Sequence, residues 1–280
     1  MKGKIICLTG GTGFLGRHLI KAILPLKPHS IRAFSRDGGK VEALQQEFPE
    51  AKYTLSCIQA DILDTERLRI LFDGVDYIIH CAAEKRLNIC EENPTEAIRI
   101  NVIGTQNVFN VAHQCRVKKV LHISTDKSCN PVTMYGCTKL QGEMLAQRFN
   151  KISATTNYAS VRYGNVWNSS DSVIKKWDKL YPQRPLLVTD PEMTRFYMNI
   201  NSAVSLVLGA LEKMNDETRI FIKKDMKSLR IADILDSRYP NAKVEITGMR
   251  GIEKLHEELY PGYYSNDRVV PYSELIKELE

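Results

Sequence analysis

Lys4-Ile5-Ile6-Cys7-Leu8-Thr9-Gly10-Gly11-Thr12-Gly13-Phe14-Leu15-Gly16 decides how the rest of this 280-residue chain is read. Ile5, Ile6 and Leu8 mark a short buried strand, and Leu19, Ile20, Ile23 and Leu24 then recur at helical spacing. Strand, glycine turn and helix follow in the order that a dinucleotide site requires. The glycines permit a tight turn and let the backbone approach a pyrophosphate, which rests on the helix N-terminus. The spacing Gly10-x-x-Gly13-x-x-Gly16 is not the commoner G-x-G-x-x-G, so the flanking strand and helix carry the assignment. Gly10, Thr12, Gly13, Phe14, Leu15 and Gly16 are the expected cofactor contacts here.

Downstream, Ser30 to Phe34 reads as a second strand, followed by Ser35-Arg36-Asp37. An acidic residue at this strand end normally binds a ribose 2′-hydroxyl, whereas an arginine accommodates a 2′-phosphate. Ser35 and Arg36 come first and Lys40 is close behind, which favours NADP over NAD. Leu55 to Ala60 is a third strand ending at Asp61-Ile62, where a carboxylate can meet an adenine amino group. Leu63 to Phe72 is a helix. Val75 to His80 is nearly continuously apolar, as expected of a strand buried on both faces. It opens into Cys81-Ala82-Ala83, small residues that let a cofactor lie against the backbone, with Lys85 placed beyond them for sugar or phosphate. One long helix is expected from Glu96 to Gln114, with Ile100, Val102, Ile103, Val108 and Val111 inward and Asn101 as a satisfied polar group.

The second informative stretch is Leu121 to Lys139. Val120 to Ile123 is a short buried strand; Thr125-Asp126-Lys127 follows, then a loop closed by Pro131 and a helix starting near Tyr135. Tyr135 and Lys139 are four apart and share one helix face. A phenol beside an ammonium has its phenolate favoured, so it can take a proton from an alcohol. The triplet adds a hydroxyl, a carboxyl and an amine aimed at the same cleft. Asn157 to Tyr163 is a further strand, and the alternation up to that point specifies an α/β fold, a doubly wound parallel sheet of the Rossmann type.

Beyond Asn165 the pattern loosens. Helices are expected at Val173 to Leu180, Asn199 to Leu211 and Ile231 to Tyr239, and strands at Pro185 to Val188, Arg219 to Lys223 and Lys243 to Ile246. Gly248 to Glu257 is expected to open a final helical segment. The division that follows is an NADP-binding domain at 1–166, with 194–222 returning to it, and a smaller C-terminal substrate-binding lobe from 167–193 and 223–280. Arg195 and Arg250 are placed to meet a substrate diphosphate, since guanidinium binds phosphate oxygens bidentately.

Bulk composition narrows the class. Hydrophobic content of 43% supports a large core, and a net charge of +6 with no long basic run suits anionic substrates, not nucleic acid. Seven cysteines without a Cys-x-x-Cys pair point to a reducing cytoplasm and away from zinc, and the six histidines show no metal-ligand spacing. The apolar run after Lys4 lasts about five residues, against roughly 20 for a membrane span, and no signal peptide is recognisable.

Together these motifs resemble the extended short-chain dehydrogenases/reductases, and within them the configuration-inverting UDP-N-acetylglucosamine 4,6-dehydratases. The resemblance rests on Thr9 to Gly16, Ser35-Arg36-Asp37, Ala82-Ala83-Glu84-Lys85, Ser124-Thr125-Asp126-Lys127 with Asn130-Pro131, and Tyr135-Gly136-x-x-Lys139. Val161 to Val166, Met193-Thr194-Arg195-Phe196 and Gly248-x-Arg250-x-x-Glu253-Lys254-Leu255-His256-Glu257 complete it. It implies that Tyr135, Lys139 and Thr125 handle the sugar 4-hydroxyl, that Asp126 and Lys127 are the acid and base of a water elimination, and that Asn165 and Glu253 lie on the substrate side. A cytoplasmic homo-oligomer acting on a UDP-sugar with tightly bound NADP is the expected form. The chain departs from the group in being short, in reading Trp167 to Ser172 where a glycine-bearing segment is usual, and in carrying Arg86 in place of a histidine. Two other readings stand beside the dehydratase: a nucleotide-sugar 4-epimerase or 4-ketoreductase, which needs no Asp126-Lys127 pair, and a non-catalytic NADP-sensing protein.

Overall fold

The computed structural model describes residues 1–170, 172–215, 217, 219–249 and 251–280. Strands β1 (Ile5–Thr9), β2 (Ser30–Ser35), β3 (Leu55–Gln59), β4 (Tyr77–His80), β5 (Lys119–Ile123) and β6 (Asn157–Arg162) alternate with helices. Those helices are α1 (Phe14–Ile23), α2 (Gly38–Glu47), α3 (Thr65–Phe72), α4 (Leu87–Glu92), α5 (Pro94–Ile98), α6 (Thr105–Gln114) and α7 (Met134–Ile152). The C-terminal part holds β7 (Asn165–Val166), α8 (Val173–Leu180), β8 (Leu186–Val188), β9 (Thr194–Met198), α9 (Ile200–Lys213), β10 (Ile220–Ile222) and β11 (Ser228–Arg230). It ends with α10 (Ile231–Arg238), β12 (Val244–Ile246), β13 (Glu258–Tyr260), β14 (Tyr263–Tyr264) and α11 (Tyr272–Leu279).

Seven strands form one sheet in the order β10-β6-β5-β4-β1-β2-β3, and every neighbouring pair is parallel. The order reverses between β1 and β4, the switch point whose carboxyl-end crevice holds ligands in open α/β sheets. Ile6, Cys7 and Leu8 in β1, and Ile78 and Ile79 in β4, are fully buried, because helices cover both faces. Two glycines make the switch point possible. Gly10 has φ +63°, and a Cβ there would lie 2.8 Å from the Ala82 nitrogen, so β1 can press on the end of β4. A Cβ at Gly16 would lie 2.5 Å from the Gly11 carbonyl oxygen, so α1 can pack on the turn that precedes it.

A separate apolar cluster lies beyond the sheet. Trp167, Trp177, Leu186, Tyr197, Leu229 and Ile234 are among its members. Around it β11, β9 and β7 form a three-stranded sheet, β12 and β8 a parallel pair, and β13 and β14 a hairpin.

Two expectations are corrected. The helix expected to run unbroken from Glu96 to Gln114 instead carries a π-helical segment at Arg99–Gly104 between α5 and α6. The wider turn rotates the residues after it. Ile103, expected inward, is 47% exposed, and Gly104 faces Ile62 instead, with a Cβ there only 2.5 Å from the isoleucine methyl. Among the described residues, the helix expected to open at Gly248 is also absent. Thr194 donates its N–H to the Leu255 carbonyl, and the Arg195 guanidinium donates to the Lys254 and Leu255 carbonyls. Those acceptors are then unavailable for a helical ladder, and the chain runs extended through a bridge between Thr194 and His256 into β13. The last helix is α11.

Candidate active site

The site is assembled where β5 ends. Thr125 caps a short 3-10 turn over Asp126–Ser128, and Thr133 caps α7 by accepting the Gly136 N–H at 2.8 Å. Gly136 decides how these two pieces meet. A Cβ there would lie 2.2 Å from the Lys127 carbonyl oxygen, so only glycine lets the first turn of α7 sit on the backbone of the triplet. The helix is locked in that position by buried Glu143. It accepts from Ser124 at 2.6 Å and Ser128 at 2.7 Å, and pairs with Arg162 of β6 at 2.5 Å. Arg162 also donates to the Leu259 carbonyl, which ties β13 to the same corner.

Within this frame Thr125, Asp126, Lys127 and Tyr135 share one pocket. The Thr125 hydroxyl donates to Asp126 Oδ1 at 2.9 Å, and Lys127 Nζ donates to the same oxygen at 3.1 Å. Lys127 also pairs with Glu257 Oε1 at 3.4 Å. Burial lowers the Lys127 pKa, but the Asp126 and Glu257 carboxylates outweigh it and hold the amine charged. Burial raises the Asp126 pKa despite Lys127. Burial also opposes ionisation of Glu257, yet Lys127, Arg195 and Lys254 overcome that and keep it a carboxylate. Asp126 Oδ2 and Glu257 Oε2 are buried without a hydrogen-bond partner.

Burial raises the Tyr135 phenol pKa, with the Lys127 charge and a Thr125 hydrogen bond working against it. Lys139, expected to act on that phenol, is instead turned to the floor of the pocket, with Nζ 2.9 Å from His122 Nε2. Burial pushes the Lys139 pKa down to about 8.

The expected cofactor residues gather at the switch point. Gly13 stands at the N-cap of α1 with no side-chain cap and no acidic residue in the first turn, which leaves the positive helix end open to an anion. Thr12 is buried in the turn and Phe14, Leu15 and Gly16 begin the helix. Cys81 and Ala82 lie directly on Gly10, the Ala82 N–H donates to Thr9 Oγ1 at 3.1 Å, and Ala83 continues the same strand end. Acid-free helix start, small-residue shelf and glycine cradle fit a nicotinamide dinucleotide. Ser35 ends β2, Arg36 pairs with Glu96 at 3.6 Å and Lys40 with Asp37 at 3.2 Å. The Lys40 N–H and ammonium hold the Asp37 carboxyl below the usual range. Asp61 accepts the Leu63 N–H at 3.0 Å, and Ile62 packs on Gly104.

The residues expected on the substrate side are more scattered. Lys85 donates to Ser170 at 3.4 Å, Asn165 pairs in register with Tyr197, and Glu253 accepts from Thr189 at 3.4 Å. Arg195 is turned to carbonyls and to Glu257, 3.9 Å away. Arg250 lies outside the described residues. Sequence reasoning missed Glu257 and His122 as members of the pocket. The one signal for His122 was a histidine inside an apolar strand; for Glu257 it was a carboxylate in a run already rich in charge. Among the described residues no helix is long and apolar enough to cross a membrane.

A family model described as polysaccharide biosynthesis protein matches residues 6–273. A UDP-N-acetylglucosamine 4,6-dehydratase (inverting) from Campylobacter jejuni is 38% identical over 263 residues, 91% of this chain and 77% of that protein. A UDP-glucose 4-epimerase from Rickettsia massiliae is 34% identical over 269 residues, 91% of this chain and 77% of that protein. The X-ray structure of Pen from Bacillus thuringiensis superposes with a TM-score of 0.92 at 30% identity, covering 99% of this chain and 97% of that one. With a Rossmann sheet, a nucleotide cradle and a Tyr135–Lys139 helix already in place, the chain belongs to the polysaccharide biosynthesis protein family, among the dehydratase and epimerase enzymes of the extended short-chain dehydrogenases/reductases.

Proposed function

We propose that this enzyme is a nucleotide-sugar 4,6-dehydratase that converts UDP-N-acetylglucosamine to a UDP-4-keto-6-deoxy-N-acetylhexosamine with inversion at C5, using NADP. The observation that carries the reading is the Asp126–Lys127 pair, joined at 3.1 Å beside Tyr135. Oxidation at C4 alone needs a phenol and a lysine; eliminating water also needs an acid and a base.

Gly10 to Gly16, Cys81 to Ala83 and Asp61-Ile62 would hold the dinucleotide, with Ser35, Arg36 and Lys40 toward a 2′-phosphate. The bound dinucleotide would supply the hydride acceptor for C4 and the hydride donor for C6. Tyr135 takes the proton of the 4-hydroxyl, which Thr125 orients by a hydrogen bond. Lys139 would hold the nicotinamide ribose, and the Lys127 ammonium beside Tyr135 favours the phenolate. A ketone at C4 acidifies the C5 proton, Lys127 removes it, and Asp126 protonates the C6 hydroxyl as it leaves as water. Lys127 keeps the proton it removed, and a solvent proton delivered to C5 from the opposite face gives the inverted product. A charged lysine cannot serve as base, so one proton must first pass from Lys127 Nζ to Asp126 Oδ1. That transfer, along the existing hydrogen bond, makes a neutral amine and a neutral carboxylic acid together. Burial, which raises the Asp126 pKa, favours it, while the carboxylates that hold Lys127 charged oppose it. We place the sugar against the lobe formed by 167–193 and 223–280, on the side of Lys85, Asn165 and Glu253.

The test is incubation with UDP-N-acetylglucosamine and NADP, followed by mass spectrometry for loss of one water and NMR for the configuration at C5. No turnover with NADP bound would overturn the reading. A second reading, 4-epimerisation, is favoured by the similarity to the Rickettsia epimerase; it predicts an isomer of unchanged mass.

A further inference from the structure

Beneath the Tyr135–Lys139 face lies a buried imidazole. His122 is inaccessible to solvent near the carboxyl end of β5, and its Nε2 is 2.9 Å from Lys139 Nζ. Its other nitrogen, Nδ1, is 3.3 Å from the hydroxyl of buried Ser160 on β6. An ammonium can only donate, so Nε2 is the acceptor and the ring proton sits on Nδ1, donating to Ser160. The helix above is shaped to this ring. A Cβ at Gly142 would lie 2.6 Å from His122 Cε1 and 2.8 Å from Nε2. Glycine inside a helix weakens it, so its presence at this contact marks space kept for the imidazole.

The second histidine of the floor is fully engaged elsewhere. His80 on β4 lies with its ring centroid 5.7 Å from that of His122. Thr105 donates to the Asn101 carbonyl, so its oxygen accepts from His80 Nε2 at 3.0 Å. With the ring proton of neutral His80 on Nε2, Nδ1 accepts from the Thr9 hydroxyl at 2.6 Å, and the Thr9 oxygen accepts from the Ala82 N–H. The remaining titratable groups that bear on Lys139 and His122 are Cys81 beyond β4 and Glu143 on α7, and Glu143 is itself paired with Arg162 of β6. Burial, then Lys139 and His80, keep His122 neutral.

We propose that His122 is a positioning residue for the hydride-transfer lysine: its neutral imidazole, seated by Gly142 and Ser160, accepts from the Lys139 ammonium and fixes both the place of that amine and its hold on its proton. The catalytic consequence rests on the role given to Lys139 under the proposed function, and it is shared by the dehydratase and epimerase readings. Hydrogen bonding to a charged form favours that form, so losing the acceptor lets the amine deprotonate more readily.

The test needs no turnover. The full chain is labelled with 13C at lysine Cε, and the Lys139 resonance, assigned by its loss in Lys139→Arg, is followed with pH. The wild-type midpoint is expected near 8. In His122→Phe it falls by about one pH unit or more, tenfold in the acid constant, and in His122→Gln, which restores an acceptor, it returns toward wild type. A midpoint unmoved in His122→Phe, or lowered equally in His122→Gln, overturns the proposal. Should His122→Phe fail to fold, Ser160→Ala frees the imidazole and gives a smaller fall in the same direction; an unchanged midpoint there overturns it too. A protein that never dehydrates a sugar still gives this titration, so the two proposals fail separately.

Discussion

The pocket holds two lysines, and the protein treats them in opposite ways. Lys139 rises from α7 over the sheet and meets a neutral imidazole; burial dominates and pushes its pKa down to about 8. Lys127 sits on the 3-10 turn, facing Asp126 and, from the C-terminal part of the chain, Glu257; the two carboxylates outweigh burial and hold the amine charged. Depth does not separate them, since both are largely withdrawn from water. The difference teaches that the partners a buried amine finds, more than its burial, set which proton role it can take.

The largest effect should come from removing the carboxylate-bound lysine together with its partner. Asp126→Asn with Lys127→Ala is expected to lower the rate of water loss from UDP-N-acetylglucosamine by ~100-fold to 10,000-fold, the range for a lost general acid or base. Initial rates by mass spectrometry read this directly. Unchanged activity would break the comparison, because an enzyme that only oxidises and reduces C4 has no use for the pair.

Lys139 gives the next effect, on stability. In the folded protein it loses its proton near 8, in the unfolded chain near the ordinary lysine value of 10.5. Between those values the unfolded state binds more protons, so stability rises with pH across that window, and the full penalty is present below 8. Lys139→Met should therefore stabilise the protein at neutral pH by an amount on the order of 1–3 kcal/mol while abolishing turnover. The gain should shrink as pH rises past the folded midpoint. Thermal unfolding at pH 7 showing no gain would mean that burial does not press on this amine as described.

The same contrast explains what could be read from the sequence. The sheet half was legible because its signals are local: glycines between a strand and a helix, alternating elements, and a four-residue offset placing Tyr135 and Lys139 on one face. The ion-pair half was not. Glu257 lies 130 positions from Lys127 by number, and nothing in its neighbours states that β9 will draw the Lys254 and Leu255 carbonyls into the pocket wall. The helix misread after Gly248 has that same cause, since its periodicity was overridden by Thr194 and Arg195. The π segment was hidden for a different reason: one extra residue in a turn leaves no compositional mark, only a shifted face that Ile103 reports.

Glu257 is the finest test of the contrast. If two carboxylates make Lys127 differ from Lys139, removing one should move Lys127 part of the way back. Glu257→Gln deletes a charge 3.4 Å from the ammonium and also one that raises the Asp126 pKa. Both pKa values should fall. The pair works while it shares one proton, so the rate rises with pH as the doubly protonated pair loses its first proton, from Asp126, and declines as the last one leaves Lys127; both limbs of the pH profile should shift to lower pH, by about one unit. Some stability should go as well, since Arg195 and Lys254 are left facing an uncharged amide. A Glu257 that merely packs the corner would lower the rate and leave the limbs in place. That outcome would return the whole of Lys127's charge to Asp126, and the two lysines would then differ by one neighbour instead of two.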